Sequence, residues 1–250
     1  SALADKPGLA IGNAVGSNIF NILIVLGASA AIAPVSVSVK VIRREVPVMI
    51  GVTVFFWLLS LNGFLGRMEG ILLVGMVIAY TVWLIAQGRQ EDRGPSSDAV
   101  GASGDKETSR TPAILFHLSL VCAGLLSLVV GSDRLVHGAT GLSRLLGISE
   151  PVIGLTVAAV GTSLPELATS IIAVIRGERD IAVGNVVGSN VFNLLFVLGM
   201  SATVAKGGLS LDLSMVRTDI PIMLVVTVLC LPVVFTGSRI SRSEGLLFLA

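Results

Sequence analysis

Charged residues along this chain are confined to short intervals, and long apolar stretches lie between them. Lys6 to Lys40, Glu45 to Arg67, Glu69 to Arg89, Arg110 to Asp133, Asp180 to Lys206 and Asp219 to Arg239 each enclose a run free of Asp, Glu, Lys and Arg. A helix needs roughly 20 apolar residues to cross a bilayer core, and each run is about that long. A seventh, Glu150 to Arg176, contains one ionisable residue, Glu166, and an eighth begins at Gly245 and reaches Ala250. The pattern predicts an all-α membrane protein with seven spanning helices and part of another. One stretch breaks it: "QGRQEDRGPSSDAVGASGDKETSRTP", residues 87–112. Rich in Gly, Ser and charge, it has nothing to bury and predicts a flexible hydrophilic linker. It divides the chain into halves, 1–86 and 113–250.

Composition agrees with this picture. Hydrophobic residues make up 53% and charged residues 13%, about half the charged share of a soluble domain. The mean hydropathy is +0.91. Glycine is frequent at 28 residues and aromatics scarce at 5%, a mix suited to helices packed closely in lipid. A net charge of +1 gives no reason to expect a nucleic-acid partner, and nothing points to an obligate protein partner. Cys122 and Cys230 stand alone in apolar runs and read as core thiols. Neither of the two histidines has a Cys or His nearby, which argues against a transition-metal centre. No nucleotide loop, Ser/His/Asp set or hydrolase metal spacing is present, so no enzyme reading survives and no cofactor is expected.

The chain repeats itself. "GNAVGSNIFNILIVLG" (Gly12 to Gly27) returns 172 residues later as "GNVVGSNVFNLLFVLG" (Gly184 to Gly199), identical at 12 of 16 positions. With small slips "REVPVMIGVTV" (Arg44 to Val54) matches "TDIPIMLVVTV" (Thr218 to Val228), and "RMEGIL" (Arg67 to Leu72) matches "RSEGLL" (Arg242 to Leu247). Five crossings separate the two copies. Five is odd, so the copies run in opposite directions and the repeat is inverted. Inverted repeats are a common plan of secondary transporters, with the substrate site at mid-membrane where the halves meet. The same offset places the counterpart of Glu166 before Ser1. The sequence therefore reads as a fragment that opens on the last turn of a helix (Ala2 to Ala4), and Ser1 does not look like a natural start. Only the second repeat, 150–203, is complete. Eleven of the 17 Lys and Arg residues fall on one side of this arrangement, the linker's side, and six on the other. The richer side is expected to be cytoplasmic.

Glu166 is the first candidate for chemistry. A carboxylate at the bilayer centre costs roughly 2.5–3.5 kcal/mol on insertion scales and normally serves an ion or proton path. On a helix Ala159, Thr162, Ser163 and Glu166 share one face. Pro165 cannot bond the carbonyl of Gly161, and that glycine softens the backbone, so a kink releasing carbonyls around Ala159 to Thr162 is expected. Freed carbonyls in lipid need partners, and a cation is one. The doubled motif adds oxygens. Asn185, Ser189 and Asn193 form an i, i+4, i+8 stripe, as do Asn13, Ser17 and Asn21. Asn18 and Asn190 lie on another face, facing a neighbouring helix. Gly12, Gly16, Gly184 and Gly188 are expected to keep these helices thin for close packing. Asn13 and Asn185 could equally serve as helix–helix glue. Carboxylate, carbonyl, hydroxyl and amide oxygens form a hard donor set that suits Ca²⁺ or Na⁺.

With both motifs in view, the chain resembles the calcium/cation antiporter superfamily, and within it the bacterial sodium/calcium exchangers. Their alpha-repeats pair a GTSxPE helix with a GNxxGSNxxN helix. Here "VIGLTVAAVGTSLPELATSI" and "GNVVGSNVFNLLFVLG" form a whole second repeat, and "GNAVGSNIFNILIVLG" is the rear half of the first. "GSDRLVHGATGLSRLLGIS" is similar to the helix leading into the second repeat. The resemblance implies ten helices in inverted halves, of which this chain would hold the third to the ninth and part of the tenth, working by alternating access. It implies Glu166 as a principal Ca²⁺ ligand shared with Na⁺, its mate being the glutamate expected before Ser1. It also implies ion-lining carbonyls at Ala159 and Thr162, hydroxyls at Ser163, Ser189 and Ser17, and Asn21 and Asn193 at the centre. Some exchangers carry Asp where Asn193 stands, so a central titratable group is missing here.

Sodium/calcium exchange is the reading these residues favour, with Ca²⁺ and Na⁺ as transported ions and the lipid bilayer as surroundings. A proton/Ca²⁺ antiporter, driven by a pH gradient without Na⁺, is the alternative. A passive cation channel ranks lower. A non-transporting membrane scaffold would leave Glu166 without a purpose.

Overall fold

The structure is a computed structural model that describes residues 7–38, 41–91, 110–147, 150–231 and 239–250. The first helix, α1 (Pro7–Phe20), passes without a break through a π-wound stretch, Asn21–Leu26, into α2 (Gly27–Ile32). A second π stretch, Val41–Glu45, leads into α3 (Val46–Ser60), followed by α4 (Arg67–Glu91), α5 (Arg110–Leu145) and α6 (Glu150–Ile175). The second copy follows as α7 (Arg179–Phe192), the π stretch Asn193–Val197, α8 (Leu198–Val204), the π stretch Met215–Asp219, α9 (Ile220–Val228) and α10 (Arg242–Leu249). Four continuous helical segments among the described residues have the length and apolarity to cross a bilayer: Ala10–Ile32, Arg67–Gly88, Leu118–Leu145 and Arg179–Val204. The other apolar runs supply α3, α6 and α9, of which α3 and α9 are each extended at the front by a π stretch.

The π stretches recur at equivalent places in the repeat. Two begin at the last asparagine of the doubled motif, Asn21 and Asn193. The other two end two residues before Pro47 and Pro221. Proline cannot donate to the carbonyl four residues back, and its ring crowds that carbonyl. The chain accommodates it by winding the preceding turn more widely.

Lipid contact explains the distribution of burial. On α5 most apolar side chains from Leu118 to Leu145 point outward, with Leu125 58% and Leu126 65% exposed. A surface of that kind suits hydrocarbon and would be a liability in water. The core lies where the copies meet and is itself repeated. Ile22 and Leu194 are equivalent positions, as are Met49 and Met223, and all four are fully buried.

The halves are interleaved. Helix α2 packs on α10, and its equivalent α8 packs on α4. Each of these contacts crosses from one half to the other at a pair of glycines. A Cβ on Gly245 would lie 2.8 Å from the Gly27 carbonyl oxygen, and one on Gly70 would lie 2.7 Å from that of Gly199. Four two-residue strands repeat the exchange: β1 (Val35–Ser36), β2 (Phe64–Leu65), β3 (Leu209–Ser210) and β4 (Arg239–Ile240). Strand β1 pairs antiparallel with β4, and β2 with β3. Gly208, at φ 80°, allows the second pair to form, since a Cβ there would lie 2.7 Å from the Leu65 carbonyl oxygen.

Two expectations need correcting. Helix α4 continues to Glu91 and α5 begins at Arg110, so both edges of the segment 87–112 are helical. The lone Gly88 is tolerated within α4, and Pro112 falls in the first turn of α5, where a proline is tolerated. Residues 92–109, like the turn expected at Ala2 to Ala4, lie outside the described residues. The motif glycines, moreover, are not at tight helix crossings. A Cβ on Gly16, Gly184 or Gly188 would meet nothing within 4 Å, and one on Gly12 only Met215 at 3.4 Å. Gly184 and Gly188 instead border a cavity, where a missing side chain leaves room. Close backbone packing between the halves falls instead at Gly27, Gly70, Gly199 and Gly245.

Candidate ion-binding site

Helix α6 carries Glu166 and stays helical from Glu150 to Ile175 across Pro165. The carbonyl that Pro165 leaves unbonded therefore lies within a continuous helix. Gly161 has a packing role beyond any softness, because a Cβ there would lie 2.0 Å from Val136 Cγ2. It is where α5 crosses α6. One turn beyond Pro165, Thr169 Oγ1 donates to the Pro165 carbonyl at 2.7 Å.

Glu166 is half-buried, and its Oε2 atom is buried without a hydrogen-bond partner. Beside it opens a cavity of about 360 Å³ lined by Glu166, Gly184, Asn185, Gly188, Ser189, Phe192 and Asn193. All three members of the Asn185, Ser189, Asn193 stripe thus face one space, together with the carboxylate from the neighbouring helix. Asn185 also ties the two helices: its Nδ2 donates to the Glu166 carbonyl at 3.2 Å and to Ser170 Oγ at 3.0 Å. Phe192 was not among the expected residues. Nothing in the repeat marks it apart from Phe20, and only the fold shows that it closes the cavity wall.

The first copy approaches from the other side. Ser17 Oγ lies 3.1 Å from Thr162 Oγ1, and Thr162 Oγ1 donates to Asn13 Oδ1 at 3.2 Å. Thr162, one turn before Glu166, therefore joins α6 to α1. Asn13 and Asn185 both make the helix–helix bonds considered for them. Ser163 and Ser17 are buried, while the side chain of Ala159 lies outside the described residues.

At the centre, four asparagines form a closed set. Asn18 Nδ2 donates to the Asn190 carbonyl at 3.2 Å, and Asn190 Nδ2 to the Asn18 carbonyl at 3.5 Å. Asn193 Nδ2 donates to Asn18 Oδ1 at 3.0 Å, and Asn21 Nδ2 to Asn190 Oδ1 at 3.1 Å. Asn21 is fully buried, and its Oδ1 has no partner. The other-face placement of Asn18 and Asn190 holds, but their grip on Asn21 and Asn193 was not legible in the sequence.

Two buried oxygens without donors, one of them on a carboxylate, are costly unless something positive or protic meets them. The cavity beside Glu166 is lined by a hydroxyl and amide groups, and Lys, Arg and His are absent from that lining. An oxygen-bearing lining of that kind is chemically suited to a hard cation.

Known proteins match this chain over nearly all its length. The family model described as "Sodium/calcium exchanger protein" matches residues 1–86 and 116–250. The inner membrane protein YrbG of Escherichia coli is 36% identical over 229 residues, covering 92% of this chain and 70% of its own. Sodium/calcium exchanger MaX1 of Methanosarcina acetivorans is 29% identical over 286 residues, covering 100% of this chain and 79% of its own. A solved structure of the sodium-calcium exchanger NCX_Mj superposes with a TM-score of 0.80 at 29% identity, covering 99% of this chain and 76% of that one. The repeated motifs, the interleaved inverted halves and these matches lead to one conclusion: the chain is a membrane transporter of the sodium/calcium exchanger family, within the calcium/cation antiporters.

Proposed function

We propose that the protein exchanges Na⁺ for Ca²⁺ across the membrane by alternating access, the two ions competing for overlapping oxygen sites around Glu166. The observation that carries this reading is the unpartnered Glu166 Oε2 beside a cavity shared with Ser189 and Asn193. The ligand set comprises the carboxylate of Glu166, the hydroxyls of Ser163, Ser189 and Ser17, the carbonyls of Ala159 and Thr162, and the amides of Asn21 and Asn193. Bound cations neutralise the buried charge and allow the site to change sides. An empty charged site is costly to pass through the apolar barrier, which suppresses leak. Two halves, 1–86 and 113–250, each contribute one wall, and the segment between them faces the cytoplasm. The name of YrbG supports an inner-membrane location, and that of MaX1 supports sodium coupling.

The test is Ca²⁺ uptake into proteoliposomes driven by an outward Na⁺ gradient, with Glu166→Gln alongside. Uptake that collapses in the variant supports the assignment, and undiminished uptake refutes it. Uptake driven by a pH gradient in Na⁺-free buffer would transfer the assignment to a proton-coupled antiporter.

A further inference from the structure

Asn18 and Asn190 are each 1% exposed at the centre of the molecule, and neither is among the ion ligands. Their geometry settles a question that amide side chains usually leave open, namely which end is oxygen. Each places its amide against the backbone carbonyl of the other. A carbonyl only accepts, so the nitrogen must face it and the oxygen must face away. That oxygen is then an acceptor for the next amide along. Asn18 Oδ1 receives Nδ2 of Asn193, and Asn190 Oδ1 receives Nδ2 of Asn21. The direction of all four amides thus follows from two backbone carbonyls. An amide that presents its nitrogen to this network has its oxygen left over. Asn21 Oδ1 is buried and unbonded, and Asn193 lines the cavity with Glu166 and Ser189.

We infer that Asn18 and Asn190 are positioning residues that work crosswise, each orienting the last asparagine of the other copy with its oxygen toward the ion path. Asn18, in the first copy, is anchored on the second and sets Asn193. Asn190, in the second, is anchored on the first and sets Asn21. Without its clasp, an amide is free to turn its N–H toward the cation, replacing attraction with repulsion. The ion-facing consequence rests on the exchange reading above; the orientation itself does not.

The sequence has seven asparagines, few enough for asparagine-selective ¹⁵N labelling of the detergent-solubilised protein. In the unmodified protein the Asn21 and Asn193 side-chain N–H signals should be protected from hydrogen exchange, and free exchange at both overturns the inference without any variant. Asn18→Ala should shift and deprotect Asn193 while sparing Asn21, and Asn190→Ala should do the reverse. Equal effects on both signals, or on neither, overturn it. Ca²⁺ titration of the same samples reads the function. Each single variant should bind Ca²⁺ roughly tenfold more weakly. In Asn193→Ser, whose hydroxyl has no amide end to misdirect, adding Asn18→Ala should cost little more. In Asn21→Ser the same addition should cost its full tenfold. Additivity in both pairs overturns the crosswise role. The crossed pattern of amide signals in a protein that binds no Ca²⁺ would uphold the orientation and overturn the ion assignment instead.

Discussion

Gly27 and Gly245 meet backbone to backbone, so close that a Cβ on Gly245 would lie 2.7 Å from the Ala31 nitrogen and 2.8 Å from the Gly27 carbonyl oxygen. The equivalent contact, Gly70 against Gly199, is equally tight. Main chain cannot yield as a flexible side chain can. Gly245→Ala and Gly70→Ala should therefore each destabilise the protein by about 1–3 kcal/mol, the usual range for overpacking. Gly16→Ala, with open space around it, should be neutral or stabilising by up to ~1 kcal/mol through helix propensity. Thermal unfolding in detergent separates the three, and equal melting temperatures would contradict the contact.

Gly188 borders the cavity beside Glu166, with nothing near its absent side chain. Gly188→Leu should leave the melting temperature within a few degrees of the parent while abolishing Ca²⁺ uptake, because the added volume fills the cavity. A large loss of stability would mean that the glycine serves packing after all.

Glu166→Gln removes the charge of a half-buried carboxylate whose buried Oε2 has no partner. Stability without ions should stay the same or rise, since an uncompensated buried charge is unfavourable. Ca²⁺-dependent stabilisation, which follows ligand binding to the native state, should vanish. A Ca²⁺-induced rise in melting temperature equal to that of the parent would place the ion elsewhere.

Asn185 holds the Glu166 carbonyl and Ser170 from the neighbouring helix. Asn185→Leu should cost about 1–3 kcal/mol, the penalty for stranding buried partners, and should weaken Ca²⁺ binding as Glu166 loses its support. Unchanged stability and affinity together would remove Asn185 from that role.

Ser36 pairs directly with Arg239, residues that the sequence places 203 positions apart. Opposed strand residues lie about 4.5–5.5 Å apart at Cα, within disulfide reach. Ser36→Cys with Arg239→Cys, in a background carrying Cys122→Ser and Cys230→Ala, should cross-link on mild oxidation. The control Ser36→Cys with Ser210→Cys should not. Cross-linking of the control alone would contradict the strand pairing.

Much was legible before any fold was known, for reasons of physics in one dimension. Lipid asks for long charge-free runs, so spans can be counted along the chain. Orientation alternates with each crossing, so an odd number of spans between two copies makes them antiparallel. A lone Glu166 in an apolar run is conspicuous because its desolvation is costly, and the i, i+4, i+8 spacing of Asn185, Ser189 and Asn193 puts them on one helical face whatever surrounds it. Tertiary structure decided the rest. Glycine reads the same whether it admits a neighbouring backbone, as at Gly245, or leaves a cavity open, as at Gly188. Only the partner distinguishes them, and the partner is more than a hundred residues away. An asparagine likewise does not say which end of its amide meets a given neighbour. For Asn193 that is settled by Asn18, and for Asn18 by a carbonyl 172 residues distant, because hydrogen-bond direction is a property of the assembled pair.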